Sequence, residues 1–461
     1  MTNATPEPSS SLEQQAAHTV DAEVHSDRSQ VRKVAAASAF GTGIELYDFL
    51  IFGLASGLVF PKLFFPQSEP LIGTLLAFLT FGAGFLSRPI GGLVFGHFGD
   101  RISRRLMLVI SLVATGVCTV AMGLLPTYGT VGVLAPVLLV TLRLLQGFFM
   151  GGEQSGAFLM VTEHARAGSK AFYGAFATAG SPIGSILGLV AFQATSTLTG
   201  PDFINWGWRI PFLASAILVI IGVYIRIGLD ESPVFAQLKA EQGQVARVPL
   251  GGVFAKGGLM VLAGVLVNLG FNMFIFIINS FSVSYGTAVL KMQRNDILMS
   301  GLAGSVGMLV TVFIAARLAD RYGLVKVMAA GAIFQILWAY PYFMLFNTRS
   351  VALVYVAVIV GYVGLSFIFG PMAAFYAHLF DPEHRYSGVA FSYNMGAVLG
   401  GGLSSSVAQA LIAGGGGWAA ISGYLLLGGA LSLVGVLISR RRLATHFPRW
   451  EADVALRPTA V

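Results

Sequence analysis

Two acidic residues, Glu45 and Asp48, lie close together inside an apolar segment near the start of the chain. Side chains three positions apart in a helix lie on the same face. Two neighbouring carboxylates in an apolar surrounding do not easily ionise together, so we expect the pair to take up and release a proton. We favour Asp48 as the proton carrier and Glu45 as its partner. The alternative is that each carboxylate neutralises an arginine in a structural pair.

A second apolar segment has a polar stripe, made of Arg143, Gln146 and Glu153, that follows one helical face. A guanidinium can hold a carboxylate through two parallel hydrogen bonds, so the stripe predicts a binding site for an anionic substrate. Arg143 could instead only tie its helix to the carboxylates near the start of the chain. Arg88, which precedes Pro89, is predicted either to contact the substrate or to be a structural partner.

Three amide side chains, Asn268, Asn272 and Asn279, share one face of another apolar segment. They predict either substrate contact or hydrogen bonds that hold helices together, and Tyr393 is a further candidate for substrate contact. No enzyme pattern accompanies these residues: the chain has no phosphate-binding loop and no HExxH motif, and its one cysteine, Cys118, cannot form a cysteine-based metal site. We therefore predict that the protein is not an enzyme and uses no cofactor or metal.

The elements that must position these side chains are membrane-spanning helices. Of the 461 residues, 55% are hydrophobic and 11% are charged, whereas a typical soluble domain has about 25% charged residues. Uncharged runs such as residues 106–142 exceed the roughly 20 residues that cross a bilayer as a helix. Hydropathy predicts an all-α integral membrane protein with twelve spans, at about residues 33–60, 71–97, 106–125, 131–161, 170–194, 208–228, 253–284, 297–318, 325–346, 351–378, 386–412 and 417–439.

The Lys and Arg residues indicate the orientation of these helices. Most of the 28 lie in segments that share one side of the membrane, which predicts cytoplasmic N- and C-termini by the positive-inside rule. The net charge of +7 is then explained by attraction to the anionic inner leaflet, so nucleic acid is not predicted as a partner. We predict a multi-pass protein of the cell membrane with cytoplasmic tails at residues 1–30 and 441–461 and a cytoplasmic loop at residues 229–252.

An internal repeat divides the chain into halves. An Asp-Arg pair follows the second predicted helix, and another follows the eighth, about half the folded chain later. Such a duplication predicts two six-helix bundles in parallel orientation, at residues 31–228 and 253–440. The repeated loops anchor positive charge in the cytoplasm, and they could also form a gate in which each Asp binds a neighbouring helix end. The predicted gate residues are Asp100, Arg101, Arg104, Arg105, Asp320 and Arg321.

These loops and several other segments together resemble the metabolite:proton symporter family of the major facilitator superfamily. The matching segments are residues 43–49, 88–92, 96–105, 143–147, 151–153, 208–212, 231–235 and 385–388. The resemblance implies that the Asp-Arg loops act as a gate, with the second loop the weaker latch because it has fewer basic residues. It also implies alternating access to a site near the middle of the membrane, formed mainly by helices one, four, seven and ten.

We therefore predict a transporter that imports a small organic acid or zwitterion with protons. Shikimate-like or dicarboxylic acids are favoured, because the buried arginines supply positive charge. Tyr47 is a further predicted substrate-binding residue. The expected partners are the substrate, protons and the lipid bilayer, and we expect a monomer. One alternative is a proton-driven exporter or exchanger, supported by a partial antiporter-like match at residues 180–184; another is a sensor that binds ligand without transport. We attribute residues 180–184 to small-residue packing between helices two and five.

Overall fold

The computed structural model describes residues 28–166, 168–227 and 249–446, and every regular element in these ranges is helical. Most of the predicted tails at residues 1–30 and 441–461, and of the predicted loop at residues 229–252, therefore lies outside the described residues. Helices extend a few residues into each of these segments. They begin at Arg28 and Pro249, and the last one continues to His446. Proline suits the first turn of a helix because its missing N–H would have no partner there.

Twelve helices in the described ranges are long and apolar enough to cross a membrane, which confirms the predicted all-α membrane architecture. In chain order they are α1 (Gln30–Leu58), α2 (Leu75–Gly99), α3 (Arg105–Leu124), α4 (Leu134–His164), α5 (Lys170–Phe203), α6 (Arg209–Ile227), α7 (Gly257–Thr287), α8 (Arg294–Tyr322), α9 (Leu324–Asn347), α10 (Val351–Leu379), α11 (Arg385–Ile412) and α12 (Gly417–Leu443).

The fifth helix is longer than its hydropathy predicts. α5 is α-helical to Thr199 and ends in a 3-10 turn over Gly200–Phe203, whereas the predicted end near residue 194 lies at the start of a run rich in Ser and Thr. Hydroxyl side chains usually favour turns, because they compete for backbone hydrogen bonds. Here the hydroxyls of Thr195, Thr197 and Thr199 each donate to the carbonyl four residues earlier. These bonds satisfy the hydroxyls inside the helix, so the helical segment continues.

Four helices are interrupted along their length. α4 is interrupted at Gly151 and Gly152, and α10 at Gly370 and Pro371. α7 and α11 each contain a five-residue π-helical segment. Because π turns and proline leave backbone groups outside the regular hydrogen-bond ladder, such interruptions often mark functional sites.

The two halves of the chain are packed in the same way. In the first half α1 packs against α5, α2 against α4, and α3 against α6; the matching pairs in the second half are α7 with α11, α8 with α10, and α9 with α12. The most extensive contacts between the halves are two related ones, α2 with α11 and α5 with α8. This arrangement confirms the predicted pair of six-helix bundles, while the orientation of the termini stays a prediction.

Glycines allow neighbouring helices to touch through their backbones. A Cβ added at Gly91 of α2 would lie 1.8 Å from the carbonyl oxygen of Phe148 of α4. In α5, a Cβ added at Gly184 would lie 2.1 Å from the carbonyl oxygen of Gly43 of α1. Only glycine fits such approaches, which supply the dispersion contacts that hold membrane helices together. The small residues at 180–184 therefore pack against the first helix, and the prediction that they pack against the second helix is wrong.

Candidate functional site

A cavity of about 230 Å³ lies between the two halves, and its lining extends from the middle of the molecule towards one end. Its lining on α1 runs from Glu45, in the middle of the helix, to Gly57 at the end, and its lining on α7 runs from Phe271 to Val283. The predicted helices one, seven and ten all contribute, but α4 provides only Gln154, and α2 and α8 take a larger share than predicted. Among the described residues, no group of three His, Cys, Asp or Glu side chains could hold a metal ion.

The wall of the cavity contains an ion pair between Glu45 of α1 and Arg88 of α2. Arg88 Nη2 lies 3.0 Å from Glu45 Oε1, and the two side chains are 10% and 4% exposed. The second carboxylate oxygen, Oε2, is buried and has no hydrogen-bond partner. Because a buried charge needs a partner, the guanidinium of Arg88 stabilises the charged form of Glu45 in this position. A carboxylate and a guanidinium that share the cavity wall are suited to exchange partners with an incoming anion.

Aromatic rings surround this ion pair. Arg88 lies 5.4 Å from the ring centroid of Phe49 and 5.2 Å from that of Phe85. Phe276 of α7 contacts the same two rings edge to face, with centroids 6.0 and 5.5 Å away, so the aromatic cluster joins the halves. Rings exclude water and present their negative faces to cations, so they strengthen the charge interactions of the ion pair.

The second half supplies amides and phenols to the cavity wall. Asn272, Asn279 and Tyr393 line it, as does Tyr362, whose hydroxyl donates a hydrogen bond to Asn279 Oδ1. Asn268 does not line the cavity: its amide donates to the carbonyl of Tyr393 at 2.6 Å and joins α7 to α11. Of the predicted amide stripe, two side chains therefore can contact a substrate, and the third holds helices together.

Asp48 lies behind the cavity rather than on its wall. Its side chain is fully buried, and its carboxylate accepts hydrogen bonds from Thr119 Oγ1 at 2.7 Å and Ser215 Oγ at 2.5 Å. Glu45 and Asp48 therefore do not form one site. Although they share a helix face by spacing, Glu45 pairs with α2 and Asp48 binds hydroxyls of α3 and α6. The expectation that the two carboxylates act together as one proton-binding pair is not supported by this geometry.

Arg143 is also placed behind the cavity wall. Its guanidinium lies over the rings of Phe49, Phe52 and Phe81, at 5.0, 4.3 and 5.0 Å from their centroids, and its side chain is almost fully buried. Nη1 donates to Gln146 Oε1 at 2.5 Å. Neither residue lines the cavity, so the predicted anion-binding stripe does not reach it in this state.

Gln146 connects Arg143 to Asp48 through a chain of hydrogen bonds. Its amide Nε2 donates to Thr119 Oγ1 at 2.7 Å, and Thr119 in turn donates to Asp48. The alternative that Arg143 ties its helix to a carboxylate of the first helix is thus observed in an indirect form. The network lies inside the first half, where fully satisfied buried polar groups stabilise a single helix arrangement.

Two further predicted substrate residues have structural partners instead. The hydroxyl of Tyr47 donates to the carbonyl of Pro211 at 2.8 Å, and it joins α1 to α6. Glu153 forms a two-pronged buried ion pair with Arg226 at the end of α6, and Arg226 also donates to the carbonyl of Leu108. Neither Tyr47 nor Glu153 lines the cavity, so a substrate-binding role for them does not fit this geometry.

Asp320 connects the end of α8 to the start of α5 across the two halves. Its two carboxylate oxygens accept hydrogen bonds from the backbone N–H groups of Ala171 and Phe172, both at 2.9 Å. N–H groups in the first turn have no partner within the helix, and the helix dipole favours an anion there. Arg317 also lies over the ring of Phe172, at 4.6 Å. Asp320 thus binds a helix end of the other half, which is the contact predicted for a gate residue.

The predicted gate loops are shorter than the sequence suggests. Asp100 and Arg101 lie in the last turn of the helix Pro70–Arg101, and Arg104 already begins the next helix, so only two residues separate the helices. Ser103 caps the helix that begins at Arg104, because its side-chain hydroxyl accepts a hydrogen bond from the backbone N–H of the residue three positions later. The side chains of Asp100 and Arg104 lie outside the described part of the chain, so their gating role stays a prediction.

The remaining predicted gate residues are basic and lie at the same end of the molecule. Arg105 donates to the carbonyl of Ile227 at the end of α6, at 2.5 Å. Arg101 and Arg321 are exposed, and Arg101 contacts His97 one turn earlier in its helix. These positions agree with anchoring of positive charge at a membrane surface, whereas the contact between the halves is made by Asp320.

Further contacts close this end of the molecule between the halves, and the sequence analysis did not identify them. Arg385 at the start of α11 forms an ion pair with Glu163 of α4 at 3.1 Å. The hydroxyl of Tyr386 donates to the carbonyl of Gly152 at 2.7 Å, at the interruption of α4. We call these contacts, together with those of Asp320, the closed seam.

Some of the residues that the sequence analysis missed had a signal, and others had none. Arg385 lies in the segment 385–388 that carries the family resemblance, so it could have been found. Arg294 lines the cavity at the start of α8, and the sequence analysis did not name it as a candidate. Thr119 and Ser215 bind the buried aspartate of α1, and nothing in their local sequence marks them, because hydroxyl residues often join membrane helices.

Comparisons with known proteins agree with this architecture. The sequence model of the Major Facilitator Superfamily matches residues 36–405. The inner membrane metabolite transport protein YhjE of Escherichia coli is 39% identical over 88% of this chain and 93% of its own length. The shikimate transporter of the same organism is 36% identical over 89% and 95%, and the proline/betaine transporter of Salmonella typhimurium is 32% identical over 84% and 79%.

A solved structure of the proton:xylose symporter XylE has the same fold, with a TM-score of 0.74 at 14% identity over 90% of this chain and 96% of that one. The curated relatives are named as transporters, which confirms the predicted class: a multi-pass membrane transport protein and not an enzyme. Since the family model and the relatives cover most of the sequence, the chain belongs to the Major Facilitator Superfamily.

Proposed function

We propose that the protein imports a small organic acid or zwitterion together with protons, by alternating access of the central cavity to the two sides of the membrane. The observation that carries this proposal is the Glu45–Arg88 ion pair on the cavity wall. Ionisable groups inside a membrane are costly and usually serve transport. This pair combines a cation for the substrate with a carboxylate for the proton.

Coupling follows from competition for Arg88. When the carboxylate of a substrate binds the guanidinium, Glu45 loses its ion pair with Arg88 while it stays buried. An unpaired buried carboxylate is strongly disfavoured in its charged form, so Glu45 takes up a proton. After the substrate leaves on the other side, Arg88 is free again and Glu45 releases its proton. Glu45 replaces Asp48 as our preferred proton carrier, because Asp48 is bound by hydroxyls away from the cavity.

The lining of the cavity favours an anion or a zwitterion. Among its described charged residues, Arg88 and Arg294 are positive and Glu45 is negative, which leaves positive charge for one carboxylate. The Phe49 and Phe276 rings offer apolar surface for a ring or carbon skeleton, and Asn272 offers an amide for hydroxyls. Relatives named as shikimate and proline/betaine transporters support carboxylate-bearing substrates, among which we favour shikimate-like and dicarboxylic acids.

The closed seam and the open cavity together fit one state of the transport cycle. With the N-terminus in the cytoplasm, as the positive-inside rule predicts, the cavity opens outward and the closed seam seals the cytoplasmic side. Rocking of the two halves would break the contacts of Asp320 and Arg385 and open the inner side. We propose that a single chain performs this cycle.

Transport in proteoliposomes tests the function. Purified protein is reconstituted, and uptake of labelled shikimate, proline and betaine is measured with an inward proton gradient, without it, and with a protonophore. We expect at least one compound to accumulate above equilibrium only with the gradient. Accumulation that needs the opposite gradient would identify an exporter or exchanger, and a thermal shift without any flux would identify a sensor.

A further inference from the structure

A second cavity, of about 170 Å³, lies inside the closed seam. Its lining comes from both halves: Glu163 and Lys170 belong to α4 and α5, while His378, Arg385 and Arg442 belong to α10, α11 and the end of α12. It lies at the opposite end of the molecule from the opening of the central cavity. A ligand in this position would touch both halves only while the seam is closed.

The lining of this second cavity is rich in positive charge. Its described charged residues are three cations, Lys170, Arg385 and Arg442, and two carboxylates, Glu163 and Asp381. Arg442 pairs with Asp381, and Arg385 pairs with Glu163 at 3.1 Å. With both carboxylates in these pairs, Lys170 is the cation in excess among the described lining residues. A concave site with one cation in excess fits a small oxyanion, which Lys and Arg bind through charge-assisted hydrogen bonds.

The position of the ion pairs gives a ligand a route into this cavity. The Asp381 side chain is 64% exposed and that of Arg442 is 27% exposed, so this pair forms the mouth on the solvent side. Glu163 is only 3% exposed, so its end of the cavity is the buried one. A small anion can enter past an exposed pair, which costs little to separate, and reach Lys170 beside the buried pair.

We propose that the second cavity is a binding site for a small oxyanion, a carboxylate or a phosphate group, and that its occupation holds the seam closed. A ligand stabilises the state to which it binds, and here it bridges α5 of one half and α11 of the other. Anion on the side of the closed seam would therefore slow transport. The slowing rests on the proposed transport function, whereas the binding does not.

Binding is measured first, with purified full-length protein in detergent free of phospholipid. Inorganic phosphate is titrated against sodium chloride of equal ionic strength, and the shift in melting temperature gives the affinity. We expect saturable stabilisation in the wild type and about tenfold weaker binding in Lys170→Gln, since one charge-assisted contact is lost. Lys170→Arg should restore binding. Lys326→Gln, a charge change on an exposed lysine near the start of α9, is the matched control and should bind as the wild type does.

Two further arms complete the test. A short-chain anionic phospholipid replaces phosphate in the same titration; a response to lipid alone, lost in Lys170→Gln, would assign the oxyanion to a headgroup.

In proteoliposomes, phosphate on the side of the closed seam should slow wild-type uptake several-fold and leave Lys170→Gln unaffected. Equal phosphate affinity in the wild type and in Lys170→Gln overturns the site even if transport is normal. So does a loss of phosphate affinity in Lys326→Gln as large as the loss in Lys170→Gln. Normal binding without any transport overturns the proposed function instead.

Discussion

Arg88 has two competing partners in this account. In this structure it faces Glu45, and during the proposed transport it faces the carboxylate of the substrate. The competition depends on the planar guanidinium, which can form parallel hydrogen bonds with a carboxylate while it lies beside the rings of Phe49 and Phe85. A point charge on a flexible chain would not do both.

Arg88→Lys should therefore weaken substrate binding about tenfold, close to 1.4 kcal/mol. The substitution keeps the charge but removes the planar fork. Affinity is measured by thermal shift or by binding of labelled substrate to purified protein. Arg349→Lys, on an exposed position between α9 and α10, is the control and should change the affinity by less than a factor of two. Equal effects at the two positions would remove Arg88 from the site.

Arg143→Lys should act on stability instead. Its guanidinium contacts three rings and one amide inside the first half, and lysine cannot reproduce these contacts. The loss is expected to be about 1–3 kcal/mol of unfolding free energy, visible as a lower melting temperature in detergent. Substrate affinity of the folded fraction should change little. A tenfold loss of affinity at an unchanged melting temperature would mean that Arg143 reaches the substrate.

The sequence identified the buried ionisable residues but not the directions of their side chains. Spacing put Glu45 and Asp48 on one face, yet a helix face is broad enough for the first to reach α2 and the second to reach α3 and α6. Direction depends on partners that are distant in sequence, such as Ser215, whose hydroxyl group carries no local signal. Residue types inside an apolar helix therefore predict that a site exists, and tertiary packing decides which residues form it.

At the scale of elements, the N-terminal end of a helix in one half is bound by a side chain of the other half. The start of α5 has two backbone N–H groups bound to Asp320, which lies in the last turn of α8. Such a contact is strong only while both helices keep their positions, because the hydrogen bonds and the interaction with the helix dipole are short-ranged. Asp320 is therefore suited to hold the seam in one state and release it in the other.

Asp320→Asn should open the closed seam. The amide loses the negative charge and can accept only one of the two hydrogen bonds, so the closed state loses about 1 kcal/mol, or roughly a factor of five in population. A reporter is Ser387→Cys in a Cys118→Ser background, because Ser387 is buried in the seam against Gly96: a Cβ added at Gly96 would lie 2.9 Å from the Ser387 Cα. Maleimide labelling should become about fivefold faster.

Asp296→Asn is the control for this experiment, since Asp296 lies in the first turn of the same helix at the opposite end. It should leave the labelling rate unchanged. If Asp320→Asn labels at the wild-type rate, Asp320 does not hold the seam.

Hydropathy predicted the number and order of the helices well, because burial in lipid requires long apolar segments whatever their tertiary partners. It was less accurate where local chemistry overrides average polarity. The Thr195, Thr197 and Thr199 hydroxyls donate hydrogen bonds to backbone carbonyls within α5, so a segment with a polar composition continues as a helix. The interruptions of α7 and α11 have no hydropathy signal, since a π turn changes hydrogen bonding and not composition.

At the scale of the whole molecule, the repeated packing of the halves leaves a central cavity that extends towards one end. Lining residues fill the second half of α1, up to Gly57, and the first half of α8, from Arg294. The internal repeat in the sequence was sufficient to predict two halves, but not which end of the space between them is closed. That depends on contacts between the halves such as Arg385 with Glu163, because a local segment can mark Arg385 but does not identify its partner in the other half.

Gly57→Cys in a Cys118→Ser background tests the direction of this opening. Gly57 lines the cavity near its mouth, and an added Cβ would meet only the Phe78 ring at 3.7 Å, so a cysteine fits. We expect a membrane-impermeant maleimide to label it from outside in right-side-out vesicles, and substrate to slow the reaction. Labelling only in inside-out vesicles would reverse the predicted topology.

The central claim is that Glu45, paired with Arg88 on the cavity wall, carries the coupled proton. The most direct measurement compares two activities of Glu45→Gln in proteoliposomes: accumulation driven by a pH gradient, and exchange of labelled for unlabelled substrate. The amide resembles the protonated carboxylic acid permanently, so we predict loss of accumulation with exchange retained, because exchange requires no net proton release. Asp48→Asn, in the hydroxyl-bound site behind the cavity, should keep gradient-driven accumulation. Accumulation retained by Glu45→Gln, or lost only in Asp48→Asn, would contradict the account.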